Sequence, residues 1–180
     1  GMQSAVALTT GSHNIAIGAY ALDAATTTGQ NTAVGSSALT GFDHASNGFN
    51  TAVGYNSQAT SSSGRYNTSI GHNSFFSLTS AVQATALGRA AGYSTTTGSY
   101  STYVGDGAGL YVTTGQQNTV IGQNAMRGDD GGITVGQTVA IGNQVFQPLT
   151  TGTANTGVGY QAGLSMTTGS QNTLLGYRAG

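Results

Sequence analysis

The sequence predicts an all-β solenoid, a chain wound into stacked coils, and three observations carry that expectation. A five-residue word, NTAVG at 31–35 and again at 50–54, returns in altered spellings along the chain. The glycines that close these words recur at a nearly fixed step of seventeen residues. The residue before each such glycine is a branched aliphatic every time. Self-similarity at this period marks a repeat architecture, in which each unit buries its face against its neighbours.

The words run NIAIG at 14–18, NTAVG at 31–35 and 50–54, NTSIG at 67–71, NTVIG at 118–122, NTGVG at 155–159 and NTLLG at 172–176. Taking the closing glycine as an anchor gives Gly18, Gly35, Gly54, Gly71, Gly88, Gly105, Gly122, Gly142, Gly159 and Gly176. Every step is seventeen residues except Gly35 to Gly54, which is nineteen, and Gly122 to Gly142, which is twenty. One repeat domain over 1–180, of about ten coils, is the expected organisation.

Aligned on the anchors, the chain resolves into columns. Ile17, Val34, Val53, Ile70, Leu87, Val104, Ile121, Ile141, Val158 and Leu175 stand immediately before them. Two residues earlier the column is Thr, except for Ile15 and Val139. The word opens with Asn at 14, 31, 50, 67, 118, 155 and 172. Three places after the anchor the residue is nearly always Ala or Ser.

Such a word alternates with period two in residues that favour extended backbone, so it reads as a short strand. The anchor glycine then turns the chain through angles that other residues avoid. A second corner follows from Thr-Thr-Gly at 27–29, 96–98, 113–115, 150–152 and 167–169. Two corners in seventeen residues make a coil rather than a hairpin, with each strand pairing to its copies in the neighbouring coils. The Ala-rich stretch 84–92 could be read as helix, but a glycine at every anchor, at about 1 kcal/mol each, opposes it. Almost no helix is expected. The Ala, Ser, Val and Ile columns are expected to face a narrow interior. The larger residues four places after the anchor (Leu22, Leu39, Phe75, Met126, Phe146) are then left for contacts between chains, which points to an oligomer.

Composition narrows the function. Leu, Ile, Val and Phe make up only about 18% of the residues, a level associated with disorder when net charge is high. Here the net charge is −1, and the aliphatics fall in columns. With four Arg, no Lys and 5% charged residues, the chain lacks the basic footprint of a nucleic-acid binder. No apolar run is long enough to insert in a membrane as a helix. There is no Cys.

The words NIAIG, NTAVG and NTSIG, each followed by two variable residues and a small one, resemble the YadA-like head repeats of trimeric autotransporter adhesins. The longer coil, with Thr-Thr-Gly and words such as NTGVGYQAG (155–163) and NTLLGYRAG (172–180), is similar to repeats of phage tail fibres. The resemblance spans Asn14 to Gly180, although the coil is three residues longer than the roughly fourteen usual for the adhesin heads. It implies a left-handed parallel β-roll, a homotrimer, and an extracellular place on a virion tail fibre or a bacterial cell surface. It also implies a C-terminal chaperone domain in the tail-fibre case.

Candidate chemistry is sparse. His13, His44 and His72 lack metal-ligand spacing, and no Gly-x-Ser-x-Gly nucleophile turn occurs. The adjacent carboxylates Asp129 and Asp130, in GDDGG at 128–132, sit on a glycine-rich turn that splays them, unlike an acid/base pair. No catalytic residue, metal site or cofactor is expected. Loops that interrupt a regular rod are the better candidates for recognition. These are the nineteen-residue coil with Phe42, Asp43 and His44, and the twenty-residue coil with Arg127, Asp129 and Asp130. Tyr55, Tyr160 and Tyr177, directly after their anchors, are candidate surface aromatics.

The expected function is a non-catalytic structural and adhesive fibre segment that spaces and displays surfaces toward a host glycan or protein. An ice-binding solenoid is one alternative, although a single Thr column falls short of the paired Thr-x-Thr face. A carbohydrate-active β-helix enzyme ranks last, because its acids would have to come from five Asp.

Overall fold

A computed structural model describes residues 1–180 and shows a β-solenoid with no helix. Twelve three-residue strands form in chain order: β1 Ile15–Ile17, β2 Thr32–Val34, β3 Thr51–Val53, β4 Thr68–Ile70, β5 Thr85–Leu87 and β6 Thr102–Val104. They continue as β7 Thr119–Ile121, β8 Thr134–Gly136, β9 Val139–Ile141, β10 Thr151–Thr153, β11 Thr156–Val158 and β12 Thr173–Leu175. Ten of them, one per word, make a single parallel sheet in the order β1-β2-β3-β4-β5-β6-β7-β9-β11-β12. Ten strands enclose nine full laps between first and last anchor, a rod about 43 Å long at the usual strand spacing. The register is strict: Thr51 pairs with Thr68, Ala52 with Ser69, and Val53 with Ile70. Within one strand the hydrogen bonds run both ways along the rod. Thr51 N–H donates to Asn67 O at 2.9 Å in the following lap, and Gly54 N–H donates to Val34 O at 2.8 Å in the preceding one. The pair β8 and β10 forms a small second sheet, just before the words of the two laps concerned.

The strand word departs from the expectation in its aliphatic column. Its centre residue points inward, and the Thr and aliphatic columns both point out. Ala33, Ala52 and Ala86 are fully buried, whereas Ile70, Leu87 and Ile121 are exposed. Val and Ile were expected to share the interior with Ala. The lap is too narrow for that, so only the small centre residue fits. The larger residues four places past the anchor supply the bulk instead. Leu22, Leu39, Phe75, Met126 and Phe146 are all buried within their own chain, so they give no reason for chains to associate. Phe42, expected on a contact loop, is likewise fully buried, three places further along.

Volume in this interior is balanced between columns. Tyr103 replaces Ala at the centre of β6, and glycines at 92 and 109 stand where other laps carry Phe or Leu. A Cβ on Gly92 would lie 2.6 Å from Phe75 and 3.0 Å from Tyr103. Phe75 meets the Tyr103 ring edge-on, with centroids 5.9 Å apart. Two apolar clusters result, one running from Phe75 toward the C-terminus and one around Leu22, Leu39 and Phe42. Between them lies a buried polar layer, in which Ser57 Oγ donates to Ser69 O at 2.8 Å and Ser69 Oγ to Ser74 O at 2.9 Å.

The Asn column closes the lap. Asn50 Oδ1 accepts from the backbone N–H of Asn67 at 3.0 Å, and Asn67 Oδ1 accepts from Ala84 N–H at 2.9 Å. Each Nδ2 reaches across its own lap: Asn50 donates to Gly64 O and Asn67 to Ala81 O, both at 2.8 Å. The same pattern recurs at Asn118 and Asn155. Both groups served by Asn67 are backbone atoms that the strand ladder does not reach. The anchor glycine completes the corner. Gly54 has φ +132°, and a Cβ there would stand 2.5 Å from the carbonyl oxygen of Gly71 in the next lap. Further bends use left-handed backbone at non-glycine residues, such as Asn56, Gln58 and Tyr66. Each costs on the order of 1 kcal/mol or more.

Two outcomes follow from this interior. Asn67→Ala should destabilise the protein by about 2–4 kcal/mol in denaturant unfolding, because two buried backbone groups lose their partners. Tyr103 is fully buried, and that burial outweighs the polar side chains of Ser101, Thr95 and Asn118 near its hydroxyl and pushes its pKa above the ordinary value near 10. An acid whose pKa is higher folded than unfolded carries stability that is complete below the unfolded pKa and lost as pH rises past it. Alkaline titration should therefore remove about 1.4 kcal/mol per pH unit beyond roughly pH 10, until the folded pKa is reached. Tyr103→Phe should flatten that slope in unfolding curves recorded at successive pH values.

Candidate interaction surfaces

The strand words present one continuous outer face to solvent. Along it run two columns, mostly Thr in the first and all Ile, Val or Leu in the second. Ile17 is 59% exposed, Leu87 45% and Leu175 76%, while the four valines of the column are half-buried. No strand of the ten carries a charge. An apolar stripe this long exceeds the isolated exposed aliphatics normal on a monomer.

The column directly after the anchor is a ladder of matched neighbours. Tyr55 stacks on His72 at 5.4 Å, and Tyr160 on Tyr177 at 5.4 Å. Arg89 makes a two-point contact with Asp106, at 2.6 and 3.1 Å. Asn143 Nδ2 donates to Gln123 Oε1 at 3.0 Å. Tyr55, Tyr160 and Tyr177 are exposed, as expected of surface aromatics. Sequence variability in this column hid the pairing, because what matters is the match to the lap above, not the identity at one place. Five places before the anchor, Phe49 and Tyr66 stack at 4.9 Å.

The two longer laps differ in character. Asp43 accepts from both the N–H and the hydroxyl of Thr26, at 3.1 and 2.8 Å, and so tethers its loop to the previous lap. His44 Nδ1 accepts from Ser46 N–H at 3.1 Å. Phe42 is turned inward, whereas Asp43, Ala45, Ser46 and Asn47 around it are exposed and His44 is half-buried. In the twenty-residue lap, the three additional residues form an exposed turn at Asp129 and Asp130, closed by Gly132 N–H donating to Asp129 O at 3.1 Å. The Arg127 guanidinium lies over the Tyr111 ring, 5.2 Å from its centroid. The Asp130 carboxylate near the Tyr111 hydroxyl raises the pKa of that hydroxyl. The sequence pointed to Arg127 and Asp130 but missed Tyr111, which stands one lap before them.

No cavity opens on the rod, and no three His or Asp side chains converge as metal ligands. His13, His44 and His72 lie on separate laps. No helix is long and apolar enough to cross a membrane. No protein-family model matches the chain, and neither curated proteins nor solved structures give a match.

The Arg89–Asp106 pair is solvent-exposed on both sides. Asp106→Asn should therefore change unfolding stability by less than about 1 kcal/mol, an effect that shrinks further in high salt.

Proposed function

We propose that the chain is a non-catalytic structural and adhesive segment of a homotrimeric surface fibre, of a phage tail fibre or bacterial adhesin head, that works outside the cell. The carrying observation is the uncharged Thr/aliphatic face, ten strands long. A soluble rod gains by covering such a face, and about 25 cal/mol per Å² of apolar surface is available for doing so. The aliphatic column, rather than the interior Leu and Phe residues, is what neighbouring copies cover. Three chains packed side by side along a left-handed roll would each present the remaining flanks and the inserted turns outward. Such a rod spaces and displays contact surfaces for a host glycan or protein.

An ice-binding reading uses the same face, because it sets Thr hydroxyls in register at the strand spacing. It is the weaker reading, since the second column is aliphatic rather than hydroxyl-bearing.

Light scattering coupled to size exclusion should give the mass of a trimer. Val53→Asp with Val104→Asp, both on the outer face, should give monomers that keep their β-rich circular dichroism. A stable monomer of the unaltered chain would end the fibre reading, and thermal hysteresis from that monomer would select the ice-binding one.

A further inference from the structure

We propose that the flank opposite the sheet is a binding strip for a neutral oligosaccharide, laid along the rod on Phe76, Tyr93, Leu110 and Tyr111 and bounded by Arg127 and Asp130. These residues lie five or six places past their anchors, except Asp130, which reaches back from the inserted turn. The backbone ladder sets them in series, with Ser77 N–H donating to Tyr93 O, Ser94 N–H to Leu110 O and Tyr111 N–H to Arg127 O, at 2.9 to 3.0 Å. All but the exposed Asp130 are half-exposed.

The rings suit sugars. Phe76 and Tyr93 are nearly parallel, at 8°, with centroids 5.1 Å apart. The pair is stacked, and an offset stack, the arrangement aromatic pairs prefer, leaves part of each ring face uncovered. The C–H face of a pyranose ring packs on such surfaces, while its hydroxyls seek donors and acceptors at the margin. The Tyr93 and Tyr111 hydroxyls, the Arg127 guanidinium and the Asp130 carboxylate supply both kinds.

Charge and shape narrow the ligand. This end of the strip carries one guanidinium, Arg127, and two carboxylates in the adjoining turn, Asp129 and Asp130, so a uronate or sialyl group would meet net repulsion. A neutral sugar would not. With no cavity to enclose a single ring, contact has to accumulate along the rod. Four laps span about 14 Å, enough for several sugar units. Five to six places past the anchor is roughly half a lap from the strand, so the strip lies away from the face that copies cover. That last point rests on the fibre reading. The sugar contact itself does not.

The test is titration calorimetry of the unaltered protein with cellohexaose and chitohexaose, beside an oligogalacturonate. A neutral hexamer should bind with a dissociation constant below the millimolar range, and the acidic oligomer should bind more weakly. Tyr93→Ala and Tyr111→Ala should each weaken binding roughly tenfold. The surface changes Arg127→Gln and Asp130→Asn, which leave the interior untouched, should weaken it several-fold, and Gln123→Ala should have no effect. Val53→Asp with Val104→Asp should alter mass without altering binding, which separates this site from the trimer. Absence of binding by both neutral hexamers at millimolar concentration, stronger binding of the oligogalacturonate, or binding unchanged in Arg127→Gln and Asp130→Asn would overturn the proposal.

Discussion

Every lap of this rod has to hand its unsatisfied backbone groups to the next lap, and the buried Asn column is where that handover is tightest. A strand of three residues pairs only a few amides and carbonyls by itself. The corner on either side leaves others pointing into a space too dry for water. The primary amide of Asn carries both an acceptor and a donor on a short stem. It therefore serves a backbone N–H one lap on and a carbonyl across its own lap. Where the column lapses, at Ala84, Ser101 and Thr138, the lap is held by neighbours that keep the pattern. Ser101 Oγ still accepts from Asn118 N–H at 3.2 Å.

That constraint fixes the thickness of the interior, and thickness fixes composition. With strand and opposite corner so close, the centre of the word is a small residue or Val in most laps, and the largest centre residue, Tyr103, meets an emptied facing column. Tyr103 with Gly92 and Gly109, and Phe146 with Gly157 and Gly163, are such exchanges. A chain poor in Leu, Ile, Val and Phe can thus still have a close-packed core, because little volume needs filling. The polar layer of Ser57, Ser69 and Ser74 shows that even hydroxyls serve where their hydrogen bonds close on one another.

The sheet and its register were legible in the sequence, because the same letters recur at a fixed step and parallel in-register stacking is what such recurrence encodes. The orientation of the word was not. Period-two alternation tells which residues share a face but not which face is inside. The sequence suggested an interior shared by Ala, Ser, Val and Ile, while the width of the lap, a property of the closed coil, kept the small centre residue inside and turned the Val and Ile column out. Phe42 was misplaced for a related reason. It belongs to an interior column shared with Leu78 and Leu149, seven places past the anchor, which the loop around it disguised. Tyr111 could have been found by asking what stands one lap before Arg127. The two-strand sheet of β8 and β10 left no signal beyond Thr-rich corners.

The direction of the backbone bonds has a mechanical consequence. They run along the axis from lap to lap, so tension applied to the two ends of one chain loads them in series and opens the rod like a zipper. Each opened lap frees seventeen residues, a contour of up to about 60 Å, against one strand spacing given up. A single chain would extend in regular, low-force increments. Neighbours gripping the outer sheet would share that load sideways, and a thread that yields easily would become a stiff strut.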